Sequence, residues 1–121
     1  MGTMEYSPRG RAVQRPMPQI VIEAHEWEEL SAILERYVPG RRVWAFGSRA
    51  TGRRVRRFSD LDLLIDVESL FLRELADLDD ALEESRLPFK VDVVPMVSLS
   101  PEFRARIEPE MVQVQGTNGG V

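Results

Sequence analysis

Three short apolar segments most constrain what this chain can fold into. They are VWAF at residues 43–46, LDLLID at 61–66 and FKVDVVP at 89–95. Each has four to seven residues, is rich in valine, leucine or phenylalanine, and has glycine, proline or serine within two residues of one end. Short apolar segments bounded by turn-forming residues are typical of buried β-strands rather than of helices. We therefore predict three strands.

Segments with helical periodicity separate and flank these strands. Residues 23–38 predict a first helix, which Pro39-Gly40 should end. Ser69 can cap a second helix, and Ser100-Pro101 has the N-cap and first-turn residues of a third. The predicted buried sides consist of Trp27, Leu30, Ile33, Leu34, Tyr37 and Val38, then Phe71, Leu75, Leu78 and Leu82, then Phe103 and Ile107. Residues 111–114, MVQV, predict a last short strand.

This order of elements predicts an α+β, or mixed α/β, fold with helices packed on a small sheet. A chain of 121 residues has room for one domain. We assign the folded domain to residues 20–114, with a flexible arm at 1–19 and a flexible tail at 115–121. With no cysteine, no long apolar span and no apolar segment near the start, a cytoplasmic protein is expected.

Charge is strongly segregated along the chain, although the net charge is only −4. Residues 41–57 contain seven arginines and no acidic residue, whereas residues 60–84 contain ten acidic residues and one arginine. Such blocks are often a solvated loop followed by a solvated helix face. That interpretation does not account for the acidic residues placed at the start of the second strand.

Asp60 and Asp62 begin this second strand. Side chains alternate along a strand, so both carboxylates should point to one face, with Cα atoms roughly 6.5–7 Å apart. Like charges this close repel each other, and a Mg²⁺ ion would relieve the repulsion. Asp92 lies in the third apolar segment and would complete an acidic cluster if the two strands are neighbours. Three carboxylates can hold two metal ions for displacement at phosphorus.

The segment FGSRATG, residues 46–52, would supply a site for phosphate. Gly47 permits a tight turn after the first strand, and Ser48 offers a hydroxyl and backbone amides to an anion. Arg49 and the arginines of residues 53–57 add positive charge. The chain lacks the P-loop motif of many NTPases, so the predicted phosphate site is of another type.

The succession FGSRATG, SDLDLLID and VDVV resembles the minimal nucleotidyltransferases (MNT, or MntA-like) of the DNA polymerase beta superfamily. The resemblance covers residues from about 20 to 114. It implies that Gly47 and Ser48 bind the nucleoside triphosphate, that Asp60 and Asp62 ligate Mg²⁺, and that Asp92 completes the metal site. Eleven residues separate Ser48 from Asp60, one more than is usual in that family.

The resemblance further implies transfer of AMP from ATP to a hydroxyl group, with Mg²⁺ as cofactor. The domain has little room for an acceptor site, so a partner protein should carry the hydroxyl, and a nucleic acid acceptor is not expected. In this family the partner is commonly a HEPN-domain toxin that the transferase neutralises. Two alternatives stay open, namely an antitoxin that acts by binding alone and a dimeric transferase for small molecules.

Overall fold

The computed structural model describes residues 16–66 and 72–116. Its four strands are β1 (Val43–Phe46), β2 (Leu61–Ile65), β3 (Val91–Pro95) and β4 (Val112–Gln115). Its four α-helices are α1 (Ala24–Tyr37), α2 (Ser48–Thr51), α3 (Leu72–Glu83) and α4 (Pro101–Ile107). Two 3₁₀ turns, Met96–Ser98 and Glu108–Glu110, flank α4. The elements thus follow the predicted order, and the α+β fold class is confirmed.

The strands form one mixed sheet in the order β3-β2-β1-β4. Strand β1 pairs antiparallel with both β2 and β4, whereas β2 and β3 run parallel. A parallel pair requires a crossover, and α3 supplies it. Asp62 and Asp92 therefore lie on adjacent strands that run in the same direction.

The two faces of the sheet are covered differently. Helices α1 and α3 pack on one face, against the side chains of Leu61, Leu63 and Ile65 on β2. The other face carries a smaller apolar cluster that includes Phe46 and Leu64 and is covered in part by Ile107 of α4. The apolar positions predicted for α1 are buried or packed against the larger cluster. The uncovered part of the second face is where a ligand can approach the sheet.

The start of α4 has the predicted capping chemistry, and the start of α1 has a capping box that was not predicted. Ser100 caps α4 by accepting a hydrogen bond from the Phe103 amide at 3.1 Å. Glu23 and Glu26 form a capping box at the start of α1. The predicted cap Ser69 and the apolar Phe71 lie outside the described residues. Leu78 and Leu82 of α3 are buried as predicted.

The strand boundaries differ from prediction at four ends, one of which is the start of β4 at Val112 instead of residue 111. Strand β2 ends at Ile65, one residue before the predicted limit. Strand β3 begins at Val91 and not at residue 89. Strand β4 runs to Gln115, the first residue of the predicted flexible tail. The side-chain amide of Gln115 is buried and donates to the carbonyls of Val38 and Arg41 at 2.8 and 3.1 Å, so it fastens the strand to the end of α1.

No helix in residues 16–66 and 72–116 is both long enough and apolar enough to cross a membrane.

Candidate active site

The expected carboxylates lie on the partly covered face of the sheet. Phe46 of β1 is paired with Asp62 of β2, and Asp62 is paired with Asp92 of β3. The three side chains therefore form one row across three strands, with neighbouring strands about 4.8 Å apart. Asp92 lies beside Asp62 on the same face, as the predicted acidic cluster requires.

A layer of apolar side chains lies next to this row on the same face of the sheet. It consists of the residues two positions away along the three strands, which are Trp44, Leu64 and Val94. Phe46 also packs edge-on against Phe103 of α4, with ring centroids 6.2 Å apart. Burial against this layer, together with the charges of Asp92, Asp60 and Glu110, raises the pKa of Asp62 to about 6. Asp62 is therefore a carboxylate that gains from an added positive charge.

Gly47 makes room for the Asp62 carboxylate at the end of β1. Its backbone angles are φ 83° and ψ −160°, a combination essentially restricted to glycine. A Cβ atom at Gly47 would overlap Asp62 Oδ2. Glycine at this position therefore satisfies two separate requirements, the shape of the turn and the close approach of the carboxylate.

Ser48 follows as the first residue of the short helix α2. The Gly47 carbonyl accepts hydrogen bonds from the amides of Ala50 and Thr51, both at 3.0 Å, and these bonds close the helical turn. Ser48 is half-buried and directly follows Gly47, which lies against the Asp62 carboxylate. The predicted Gly-Ser turn is thus present, directly beside Asp62.

Glu110 is a site residue that the sequence did not reveal. It ends the 3₁₀ turn before β4, and its Oε2 accepts a hydrogen bond from the Gly47 amide at 2.9 Å. Its charge also contributes to the raised pKa of Asp62. Glu110 lies 63 positions after Gly47 in the chain, and no local motif links them. Only the pairing of β1 with β4 brings them together.

Asp60 lies just before β2 and is exposed. The charge of Asp60 contributes to the raised pKa of Asp62. Within residues 16–66 and 72–116, however, no group of three or more His, Cys, Asp or Glu side chains is arranged to hold a metal ion. The expected three-carboxylate cluster is therefore not assembled in this conformation. The paired Asp62 and Asp92 are the two carboxylates that the sheet itself brings together.

The carboxylates open into a cleft of about 730 Å³, a volume typical of small-molecule sites. Phe46, Leu87 and Phe89 contribute apolar walls, while Asp79 and Glu83 of α3 border the cleft. Lys90, the single lysine of the chain, lies 3.4 Å from Asp92. Burial and nearby acidic side chains, chiefly Asp80 and Glu83, raise the pKa of Asp79. The positive charge of Lys90 partly offsets this increase.

Comparison with known proteins identifies the family to which this arrangement belongs. Residues 28–118 match the family described as "Polymerase beta, Nucleotidyltransferase". The chain belongs to this family. It is also 38% identical to the probable protein adenylyltransferase MntA of Haemophilus influenzae over 98 residues, which cover 80% of this chain and 85% of that protein. The resemblance stated from the motifs is thereby confirmed.

Solved structures of toxin–antitoxin complexes share the fold of this nucleotidyltransferase. One is a toxin–antitoxin structure with AMP-PNP, at a TM-score of 0.61 and 24% identity, covering 76% of this chain and 74% of the matched chain. Another contains a tri-AMPylated HEPN toxin of Shewanella oneidensis in complex with an MNT antitoxin, at a TM-score of 0.55 and 22% identity, covering 75% and 70%. At this level of identity, the similarity establishes the fold.

The prediction that Arg49 of this nucleotidyltransferase binds phosphate does not agree with its contacts. Its side chain is only 4% exposed. Its guanidinium donates to the carbonyls of Val21 and Ser59 at 2.8 Å and of Arg57 at 3.0 Å, and it stacks on Phe89 with 4.1 Å to the ring centroid. Arg49 therefore lines the second groove and not the cleft, and it ties together the segment before α1, the loop before β2 and Phe89, two residues before β3.

The remaining arginines of the loop lie outside the cleft. Arg56 and Arg57 line a second groove of about 520 Å³, together with Val21 and Phe58. Phe58 is 61% exposed, and the Arg57 guanidinium lies 5.3 Å from the centre of its ring. The loop of this nucleotidyltransferase thus presents a cationic and aromatic surface beside the active-site turn rather than within the cleft.

Proposed function

We propose that this protein transfers AMP from ATP to a hydroxyl group of a partner protein. The observation that carries the proposal is the pairing of Asp62 with Asp92 next to the turn formed by Gly47 and Ser48. One side of the cleft then offers carboxylates for a metal ion, and the other offers a glycine turn for phosphates. Membership of the nucleotidyltransferase family supports both assignments, the carboxylates to a metal ion and the glycine turn to the phosphates.

The turn is suited to the triphosphate. Gly47 lets the backbone approach a ligand closely, because no side chain extends from it into the cleft. Ser48 supplies a hydroxyl and an amide at the same rim. In this proposal Gly47 and Ser48 bind the triphosphate of ATP, whereas Arg49 supports the loop behind them.

The carboxylates fit Mg²⁺, a hard cation that takes oxygen ligands and often uses one or two carboxylates plus phosphate oxygens. Asp62 and Asp92 would hold it, because the sheet pairs them and burial together with the neighbouring charges disfavours the ionised Asp62 when no cation is bound. Asp60 is the third expected ligand, and binding of two ions stays a prediction. When bound, Mg²⁺ neutralises charge on the reacting phosphates.

The reaction forms one bond and breaks another at the α-phosphorus. The acceptor oxygen attacks that phosphorus, and the bond to the departing pyrophosphate breaks. The acceptor proton must leave during this step, and Asp92 is the proposed proton acceptor because its side chain is 40% exposed toward the cleft. The Lys90 ammonium lies 3.4 Å from the Asp92 carboxylate, so a cation is placed near the proposed proton acceptor.

A HEPN-domain toxin is the proposed partner, with this protein as its antitoxin. The proposal is supported by the similarity to MntA and by the AMPylated HEPN toxin in a structure that shares the fold. Strand β3, which lines the cleft, is an edge strand of the sheet within the described residues, and this supports the approach of a protein chain from that edge.

The test uses ATP carrying a radioactive label on the α-phosphate, Mg²⁺ and a HEPN-domain protein from the same genome. We expect the label on the HEPN protein, and none when the label is on the γ-phosphate. Asp62→Asn and Asp92→Asn should abolish the labelling. Asp77→Asn, which changes an exposed aspartate of α3, is the matched control and should label normally.

The alternatives give different results in the same experiment. An antitoxin that acts by binding alone would leave the HEPN protein unlabelled, and an assay of toxin activity on the same samples would show neutralisation without ATP and equally well by Asp62→Asn. A transferase for small molecules would consume ATP without labelling the HEPN protein. Either result would refute the proposed protein substrate.

A further inference from the structure

Glu110 and Gly47 form a contact that the proposed mechanism does not use. The Gly47 amide donates to Glu110 Oε2 at 2.9 Å. Strand β1 ends at Phe46 and β4 begins at Val112, so Gly47 and Glu110 lie just beyond the last paired residues, Ala45 and Val112. Continuing the antiparallel register by two residues would place Gly47 opposite Glu110.

The backbone of Glu110 belongs to a 3₁₀ turn that contains Pro109, rather than to β4. The carboxylate of Glu110 is therefore the group that takes the hydrogen bond from Gly47. A polar backbone group in such a half-buried place needs a partner, and a side chain supplies it here. The contact lies between two elements, so it fixes the end of β1 relative to the turn before β4.

The Gly47 peptide is constrained on every side. Its amide is bound by Glu110, its carbonyl is bound by Ala50 and Thr51, and its α-carbon lies against Asp62. The next residue is Ser48, whose hydroxyl and amide are the proposed phosphate contacts. Rotation of the peptide before Gly47 would move Ser48 relative to Asp62.

We propose that Glu110 is a positioning residue, whose acceptor oxygen holds the Gly47 amide and so orients the Gly-Ser turn for the triphosphate. This inference rests on the proposed function, because it concerns the nucleotide site of the same reaction. The oxygen atom carries the role, and the negative charge of Glu110 is not required for it. Charge and acceptor can be separated by substitution, because glutamine keeps a carbonyl oxygen at the same position without the charge.

Three variants of Glu110 and one control test the role. Glu110→Gln retains the acceptor, Glu110→Ala removes it, and Glu110→Met removes it while retaining most of the side-chain volume. Glu108→Ala is the matched control, because Glu108 lies in the same turn, is exposed and pairs with Arg104 at 3.6 Å. The full chain is used, with melting temperature as the check of folding.

The first measurement is hydrogen exchange of the Gly47 amide by NMR, which reports the hydrogen bond without any nucleotide. We expect slow exchange in the wild type, Glu110→Gln and Glu108→Ala, and exchange faster by about tenfold in Glu110→Ala and Glu110→Met, as for the loss of one hydrogen bond. Unchanged exchange in the alanine and methionine variants would overturn the proposal.

The second measurement is binding of AMP-PNP with Mg²⁺ by calorimetry, followed by transfer kinetics. We expect Kd and the KM for ATP to rise about tenfold in Glu110→Ala and Glu110→Met, with a smaller change in kcat. Glu110→Gln should bind as tightly as the wild type or more tightly. If glutamine weakens binding as much as alanine, the charge is responsible and the inference is wrong. If the wild type binds no nucleotide, the proposed function fails while the exchange result still stands.

Discussion

Asp62 shows how one residue can be unfavourable for folding and favourable for binding. Its carboxylate lies between Phe46 and Asp92, directly next to the apolar Leu64. Burial and like charges raise its pKa to about 6, so its ionised form costs free energy in the folded chain. The native state therefore holds a charge that a bound cation would stabilise.

Replacing Asp62 with asparagine should separate activity from stability. Asp62→Asn removes a proposed metal ligand and should abolish transfer, as should Asp60→Asn. The free energy of unfolding at pH 7 should stay unchanged or rise for Asp62→Asn, by up to about 1–3 kcal/mol, because the cost of burying the charge and the repulsion from neighbouring carboxylates both disappear. Urea unfolding and the labelling assay measure the two effects. Near-normal transfer by either variant would contradict the metal assignment.

The pH dependence of stability should carry the signature of the same group. The pKa of Asp62 is raised from 3.8 to about 6, so between these values the folded chain binds more protons than the unfolded chain. Its contribution to stability therefore decreases as pH rises from about 4 to about 6. Unfolding measured across this range should show Asp62→Asn gaining stability relative to the wild type. Parallel curves for the two proteins would argue against the raised pKa.

Gly47 should be far less tolerant of substitution than another glycine with positive φ. Gly47→Ala should cost about 2–4 kcal/mol and weaken nucleotide binding, because alanine strains the backbone and overlaps Asp62. Gly40→Ala is the matched control, since Gly40 has φ 78° and open space around it. It should cost only about 1–2 kcal/mol and leave binding unchanged. Equal effects at the two positions would show that backbone strain alone matters at Gly47.

At the scale of single elements, α2 and the loop that follows it are held by Arg49. Three backbone carbonyls, those of Val21, Arg57 and Ser59, accept hydrogen bonds from its guanidinium. Arginine suits this position because its planar group presents several donors in fixed directions, whereas the lysine ammonium is a point charge. The buried Arg49 thus connects the segment before α1 to the loop before β2.

Arg49→Lys should therefore destabilise the fold although it keeps the charge. We expect a loss of about 2–4 kcal/mol, since at least one carbonyl is left without its donor. Arg53→Lys, an exposed change in the same loop, should change stability little. Thermal unfolding and AMP-PNP binding distinguish the structural role from the phosphate-binding role predicted by sequence. If Arg49→Lys weakens nucleotide binding with unchanged stability, Arg49 binds phosphate after all.

The elements that sequence predicted best are those with strong local signals. The apolar strand segments and the Ser100-Pro101 helix start follow from residue periodicity and known turn chemistry. The placement of Asp92 beside Asp62 was predictable only on the condition that their strands are neighbours, which the pairing of β2 with β3 meets. The direction of Arg49 and the contact of Glu110 could not be predicted in this way. They depend on carbonyl groups and on strand pairing between residues distant in sequence, which no short motif encodes.

At the scale of the whole molecule, charge is divided between two neighbouring surfaces. The cleft is bordered by Asp62, Asp79 and Glu83, whereas the second groove is bordered on its loop side by Arg56 and Arg57 and at the start of α1 by Glu23 and Glu26. A partner that delivers an acceptor hydroxyl must approach the acidic cleft, where a bound triphosphate would add further negative charge. The cationic loop beside it is therefore the surface suited to attract an acidic partner.

We predict that this loop steers the partner toward the cleft. Replacing its four exposed arginines with glutamine should slow modification of the partner, while the affinity for nucleotide changes less. The replaced residues are Arg53, Arg54, Arg56 and Arg57. High salt should slow the wild-type reaction too, because the Debye length falls from about 10 Å at 0.1 M to about 3 Å at 1 M.

A second variant with four arginines replaced controls for net charge. The net charge falls from −4 to −8 in this variant and in the loop variant alike, because each loses four positive charges. The control variant carries glutamine at exposed arginines elsewhere, namely Arg36, Arg73, Arg86 and Arg106. If local steering operates, only the loop variant loses rate and salt dependence, since attraction between exposed charges is screened beyond a Debye length. Equal slowing of both variants would mean that total charge governs the encounter. A loop variant that reacts at the normal rate would place the docking surface elsewhere on the molecule.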